Sequence, residues 1–125
     1  MVEKLTKVCS VAQKRKGQIL KENPNLAVSL KIETDRTFHT EYVVIGIRDG
    51  RVKKGYEYVE DITTWMMEDK FRTYMDLLRK GLYLGIIVPQ HAYQVVSVWK
   101  VVFPNSGLRT PAILSYDDEG NITAH

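Results

Sequence analysis

Apolar positions along the first part of the chain follow a helical spacing. Between Glu3 and Glu22, Leu5, Val8, Ala12 and Ile19 fall near a 3.6-residue period, which predicts an amphipathic helix. Gly17 weakens it, and Asn23-Pro24-Asn25 ends it, because a residue before proline avoids helical dihedrals. The period then changes to two. In "LAVSLKIE", Leu26, Val28, Leu30 and Ile32 alternate with Ser29, Lys31 and Glu33, the pattern of a half-buried strand. After a polar turn at 34–37, "FHTEYVVIGI" is rich in the β-branched and aromatic residues that fit a pleated surface.

Asp49-Gly50 is a strong hairpin signal. With those two residues at the tip, Arg48 faces Arg51, Ile47 faces Val52, Ile45 faces Lys54 and Val43 faces Tyr56. Facing residues share a face of the sheet. One face then holds Val43, Ile45, Ile47, Val52, Tyr56 and Tyr58, and the other holds Arg48, Arg51, Lys53 and Glu57. The apolar face needs a cover.

The expected cover is a helix over 68–80, where Phe71, Tyr74, Met75 and Leu78 make an apolar stripe. Acidic residues open it, Arg79 and Lys80 close it, and Gly81 suits the position just beyond its end. "LYLGIIV" is too short for periodicity to choose between strand and buried helix. "AYQVVSVWKVVF" reads as a strand from its β-branched content, and "AILSY-DDEGN-ITA" as a closing hairpin. The expected fold is a single α+β domain over 1–125, with an N-terminal helix and an antiparallel meander sheet covered on one face by helices.

Composition narrows the functional classes. Apolar content of 44% and charged content of 26% over 125 residues are those of an ordinary globular domain. A single cysteine, Cys9, excludes an internal disulfide, and the longest apolar run, Leu82–Val88, is far short of the roughly 20 residues of a membrane span. The N-terminus lacks the apolar core of a signal peptide, so a cytoplasmic location is expected. The net charge of +3 is uneven: residues 1–22 carry six Lys/Arg against two Glu, while the remainder is close to neutral. Such a basic helix could lie near an anionic membrane surface, or could simply be a solvated face.

Catalytic signatures are missing from the sequence. His39, His91 and His125 stand far apart without metal-binding spacing, so no metal or cofactor is expected. Asp117-Asp118-Glu119-Gly120 lacks the spacing of a calcium loop and reads as turn chemistry. There is no nucleophile motif and no phosphate-binding glycine loop. A nucleic-acid or protein-interaction module using the basic helix and hairpin is the alternative class. Against it, the facing derived above puts Tyr56 and Tyr58 on the side opposite the hairpin's basic residues.

The run from Leu26 to Gly81 resembles the core of the sterol carrier protein type 2 family. The likeness rests on "LAVSLKIE", the "DG" hairpin in "YVVIGIRDGRVKKGYEYV", and Asp61-Ile62-Thr63 leading into a helix that ends at Gly81. It covers a little under half the chain and departs after Gly81, where the family's glycine-bounded strand and closing helix have no counterpart. The resemblance implies a non-catalytic carrier of an apolar small molecule, a lipid or a sterol-like ligand. Its cavity wall would be Trp65, Met66, Met67, Phe71, Met75 and Leu78 over Val43, Ile45 and Tyr56. The same residues would equally make a filled core.

Overall fold

The computed structural model describes residues 2–34, 41–61 and 68–125. Helix α1 (Val2–Glu22) leads into strands β1 (Ala27–Thr34), β2 (Glu41–Asp49) and β3 (Val52–Val59). Helix α2 (Glu68–Arg79) and strand β4 (Tyr83–Pro89) follow. A 3-10 turn (Gln90–Ala92) and the short helices α3 (Tyr93–Val96) and α4 (Trp99–Asn105) then lead to β5 (Ala112–Tyr116) and β6 (Ile122–Ala124). The protein is α+β as expected. The six described strands form one open sheet whose spatial order is the order of the chain.

The first three strands are an antiparallel meander. The sheet then changes character: β4 runs parallel to β3, and β5 runs parallel to β4. Parallel neighbours need a crossover. Helix α2 supplies the first, and the 3-10 turn with α3 and α4 supplies the second. This corrects the expectation of a strand in "AYQVVSVWKVVF". Its β-branched residues favour a strand only weakly, and the crossover decides against them. Trp99 and Phe103, four residues apart, bring one aromatic face of α4 down onto the sheet.

The β2–β3 hairpin also differs from its sequence reading. Asp49 pairs with Val52, so Gly50 and Arg51 form the loop, and Gly50 supplies the positive φ (61°) that a two-residue turn needs. Moving the tip alone would change the facing pairs but leave every residue on its expected side of the sheet. A bulge does not: Arg48 pairs with Lys53 but Ile47 pairs with Gly55, so Lys54 is an extra residue. Beyond it β3 is turned over, because strand side chains alternate with period two. Tyr56 and Tyr58 therefore lie across the sheet from Val43 and Ile45, and Glu57 and Val59 take the side they were expected to occupy. Gly55 is needed here, since a side chain would run into the Tyr83 carbonyl on the neighbouring strand.

Both faces of the sheet carry helices. On one, Val8, Val11, Ala12 and Ile19 of α1 pack on Val43, Ile45, Ile47, Val59, Ile87 and Leu114. On the other, Tyr74 and Leu78 of α2 and Phe103 of α4 pack on Tyr58, Leu84, Ile86, Val88 and Ile113. So α2 covers the tyrosine side of β3, and α1 covers the aliphatic side of β2. Gly81 (φ 75°) ends α2, its N–H and that of Leu82 bonding back to the carbonyls of Leu78 and Leu77.

Candidate functional site

Three parallel strands side by side place their carboxyl ends together at one edge of the sheet. Beyond β3 comes Asp61, beyond β4 come Gln90 and His91, and beyond β5 comes the loop 117–119. These residues, with Pro89, Tyr116, and Lys7 and Val8 of α1, line a pocket of about 480 Å³. A volume of that order suits a small organic molecule.

Hydrogen bonds hold the walls. The Tyr116 hydroxyl donates to the Glu60 carbonyl at 2.8 Å, and the Glu60 N–H donates to the Ile87 carbonyl at 2.9 Å. Together they tie the end of β3 to β4 and β5. Alternation then sends the two acids at this point to opposite sides. Glu60 turns toward α2, where the Lys70 ammonium reaches its Oε1 at 2.8 Å and lies against the Tyr42 ring. Asp61, buried, turns into the pocket.

The opposite wall is a tight loop built around Asp117. Its Oδ1 accepts the N–H groups of Glu119 and Asn121, both at 2.9 Å, and its Oδ2 accepts the Asn121 amide at 3.1 Å. These bonds, those from Asn121 foremost, hold the Asp117 carboxyl below its usual range. Asp118 and Glu119 project into solvent at the rim, and Lys7 approaches Asp118 at 3.4 Å. Four carboxyl-bearing residues, one lysine and one histidine line the pocket. Among the described residues, no group of three or more His, Cys, Asp or Glu side chains is placed to hold a metal ion.

The wall named from the sequence is not brought together. Phe71, Met75, Leu78 and Tyr56 share the α2 side, while Val43 and Ile45 lie on the α1 side. Trp65, Met66 and Met67 lie outside the described residues. Under α2 the space is occupied by rings: Phe71 stacks on Phe103 at 5.1 Å, Tyr74 meets Trp99 edge-on at 5.6 Å and Tyr58 at 5.2 Å. The Tyr74 hydroxyl is fully buried and falls short of hydrogen-bond geometry, and burial first, then the nearby Glu60 charge, hold it protonated.

A second polar group lies on the α1 side, away from the pocket. Arg15 of α1 grips the buried Glu57 with two bonds, Nε to Oε1 at 2.7 Å and Nη2 to Oε2 at 3.0 Å. The Tyr83 hydroxyl donates to the same Oε2 at 2.7 Å. Gly85 leaves room for them, since a Cβ there would sit 2.8 Å from Glu57 Cγ. The hydrogen bond to Glu57 raises the Arg15 guanidinium further above its already high value.

No protein-family model, no curated protein and no solved structure matches this chain. No described helix is long and apolar enough to cross a membrane.

Proposed function

We propose that this domain binds a small polar molecule bearing an amine, in the pocket beyond the carboxyl ends of β3, β4 and β5, without chemical conversion. The observation that carries the reading is a 480 Å³ pocket at that point of a partly parallel sheet, edged by Asp61, Asp117, Asp118 and Glu119. A carboxylate-edged pocket favours a cation, and Gln90, His91 and Tyr116 add groups for orientation. The expectation of a small-molecule-binding domain is retained, but the ligand class and the location change. An apolar carrier of the kind implied by the sterol-carrier resemblance would need its wall on one side of the sheet.

The test is calorimetric titration with a panel of diamines and aminoalkyl compounds, matched against carboxylates and fatty acids of similar size. Amines should bind, and Gln90→Trp, which fills the mouth, together with the exposed double change Asp118→Lys and Glu119→Lys, should each weaken them at least about tenfold. Amine binding that both variants leave untouched would refute the pocket, and binding of fatty acids alone would return the apolar reading.

A further inference from the structure

The bulge at Lys54 has a second effect, at the other end of the sheet. By turning β3 over, it brings Tyr56 onto the same face as Arg48 and Lys53. Cross-strand pairing arranges that face in rows. Ala27, Arg48 and Lys53 form one row across β1, β2 and β3, and Ser29, Gly46 and Tyr56 form the next. Lys31, Val44 and Tyr58 follow.

Helix α1 lies on the opposite face, and α2 and α4 sit over β3, β4 and β5. Ala27, Ser29, Lys31, Arg48 and Lys53 are exposed, and Tyr56 is half-buried. Gly46 keeps the floor low, since a Cβ there would meet Ser29 Oγ at 2.8 Å and lie 3.8 Å from the Tyr56 ring.

Its charge is unbalanced. Arg48, Arg51, Lys53 and Lys54 surround the hairpin tip, and among the described residues none of them makes an ion pair. Arg48 and Lys53 stand directly opposite each other, an arrangement that like charges make unfavourable. The only described partner of the Lys53 ammonium is the Tyr56 ring, 5.5 Å from its centroid. A polyanion would relieve this repulsion.

We infer that this face of β1, β2 and the hairpin end of β3, which the described helices leave uncovered, is a docking platform for single-stranded nucleic acid. Tyr56 would stack a base, while Arg48, Lys53 and the flanking Arg51 and Lys54 take the phosphates. Single strands combine a cationic track with an aromatic ring in this way. An anionic membrane would call for apolar side chains among the cations, and on this face the exposed residues are charged or small. The inference is independent of the pocket, which lies at the opposite end of β3.

The test is fluorescence anisotropy of the full chain with a labelled oligothymidylate of about 15 nucleotides, across a salt series. Binding should weaken with salt at a log–log slope of about −3, the value for four phosphate contacts at about 0.7 each. Arg48→Glu and Lys53→Glu, both exposed and tolerable to the fold, should lower affinity at least tenfold. Tyr56→Ala should lower it about fivefold or more, with Tyr56→Phe restoring it because the phenyl ring still stacks. Gln90→Trp, which closes the separate pocket, should leave oligonucleotide affinity unchanged. No binding at low salt, an Arg48→Glu protein that binds as well as the parent, or capture by phosphatidylserine vesicles or a polyglutamate peptide without binding to the oligonucleotide would each overturn the inference.

Discussion

Replacing Arg15 by Met would test whether the Arg15–Glu57 pair anchors α1 to the sheet. Methionine keeps most of the stem packing and removes only the charge and its donors. Glu57 would remain with a carboxylate side chain 1% exposed, having lost two of its three hydrogen bonds. Breaking a buried pair by deleting one partner costs about 3–5 kcal/mol. Arg15 is 17% exposed on its side chain, so some water reaches the pair, and the lower end of that range, about 3 kcal/mol, is expected. For a chain of this size that lowers the midpoint by about 10–15 °C. Urea unfolding followed by tryptophan fluorescence and far-ultraviolet circular dichroism measures it. The double variant Arg15→Met with Glu57→Leu should recover most of the loss, because no bare charge is left behind. A loss under about 1 kcal/mol for the single variant would refute the argument, as would a double variant less stable than the single one.

Two further outcomes follow from the packing. Phe103→Ala removes a fully buried ring stacked on Phe71 and should cost about 3–5 kcal/mol in the same urea assay. A cost below 1 kcal/mol would mean that α4 does not close this core. At high pH the buried tyrosines govern stability. Burial foremost raises Tyr58, Tyr74, Tyr83 and Tyr116 above the usual value of 10. Their native forms hold the proton more tightly than the unfolded chain does, so this stabilisation is complete below pH 10 and is lost as the pH rises further. Absorbance at 295 nm should show four of the seven tyrosines ionising only with the loss of near-ultraviolet dichroism, and ionisation of more than three at pH 10 in a still-folded protein would contradict the burial argument.

Much of the fold could be read from local pattern. Period-3.6 and period-2 spacing located α1, β1, β2 and α2, and Gly81 marked the end of α2, because each of these signals depends on near neighbours. Two features escaped. The bulge at Lys54 has no strong local mark: Gly55 is the only hint, and its reason lies in Tyr83, far along the chain. The crossover helices α3 and α4 were misread because β-branched residues were weighed by propensity, whereas the connection between two parallel strands requires a return path. That single error also hid the candidate pocket. A strand at 92–103 would lie between β4 and β5 and set Asp117 one strand further from Asp61 and His91. Once β3, β4 and β5 are parallel, the polar residues after each one converge. "DDEGN", read as a turn, is a turn, and it is also a wall of the pocket.

The coincidence of strand order and chain order bears on synthesis. No strand is inserted between two earlier ones, so the sheet can grow at one edge as the chain leaves the ribosome. Each new strand meets its partner already made, and the edge open to mispairing is at any moment a single strand wide. Helix α1 is the first of these elements to emerge, and its Val8, Val11 and Ile19 stay uncovered until β2 arrives. The nascent sheet therefore gains its cover one face at a time, the α1 side when β2 arrives and the opposite side only when α2 and α4 follow.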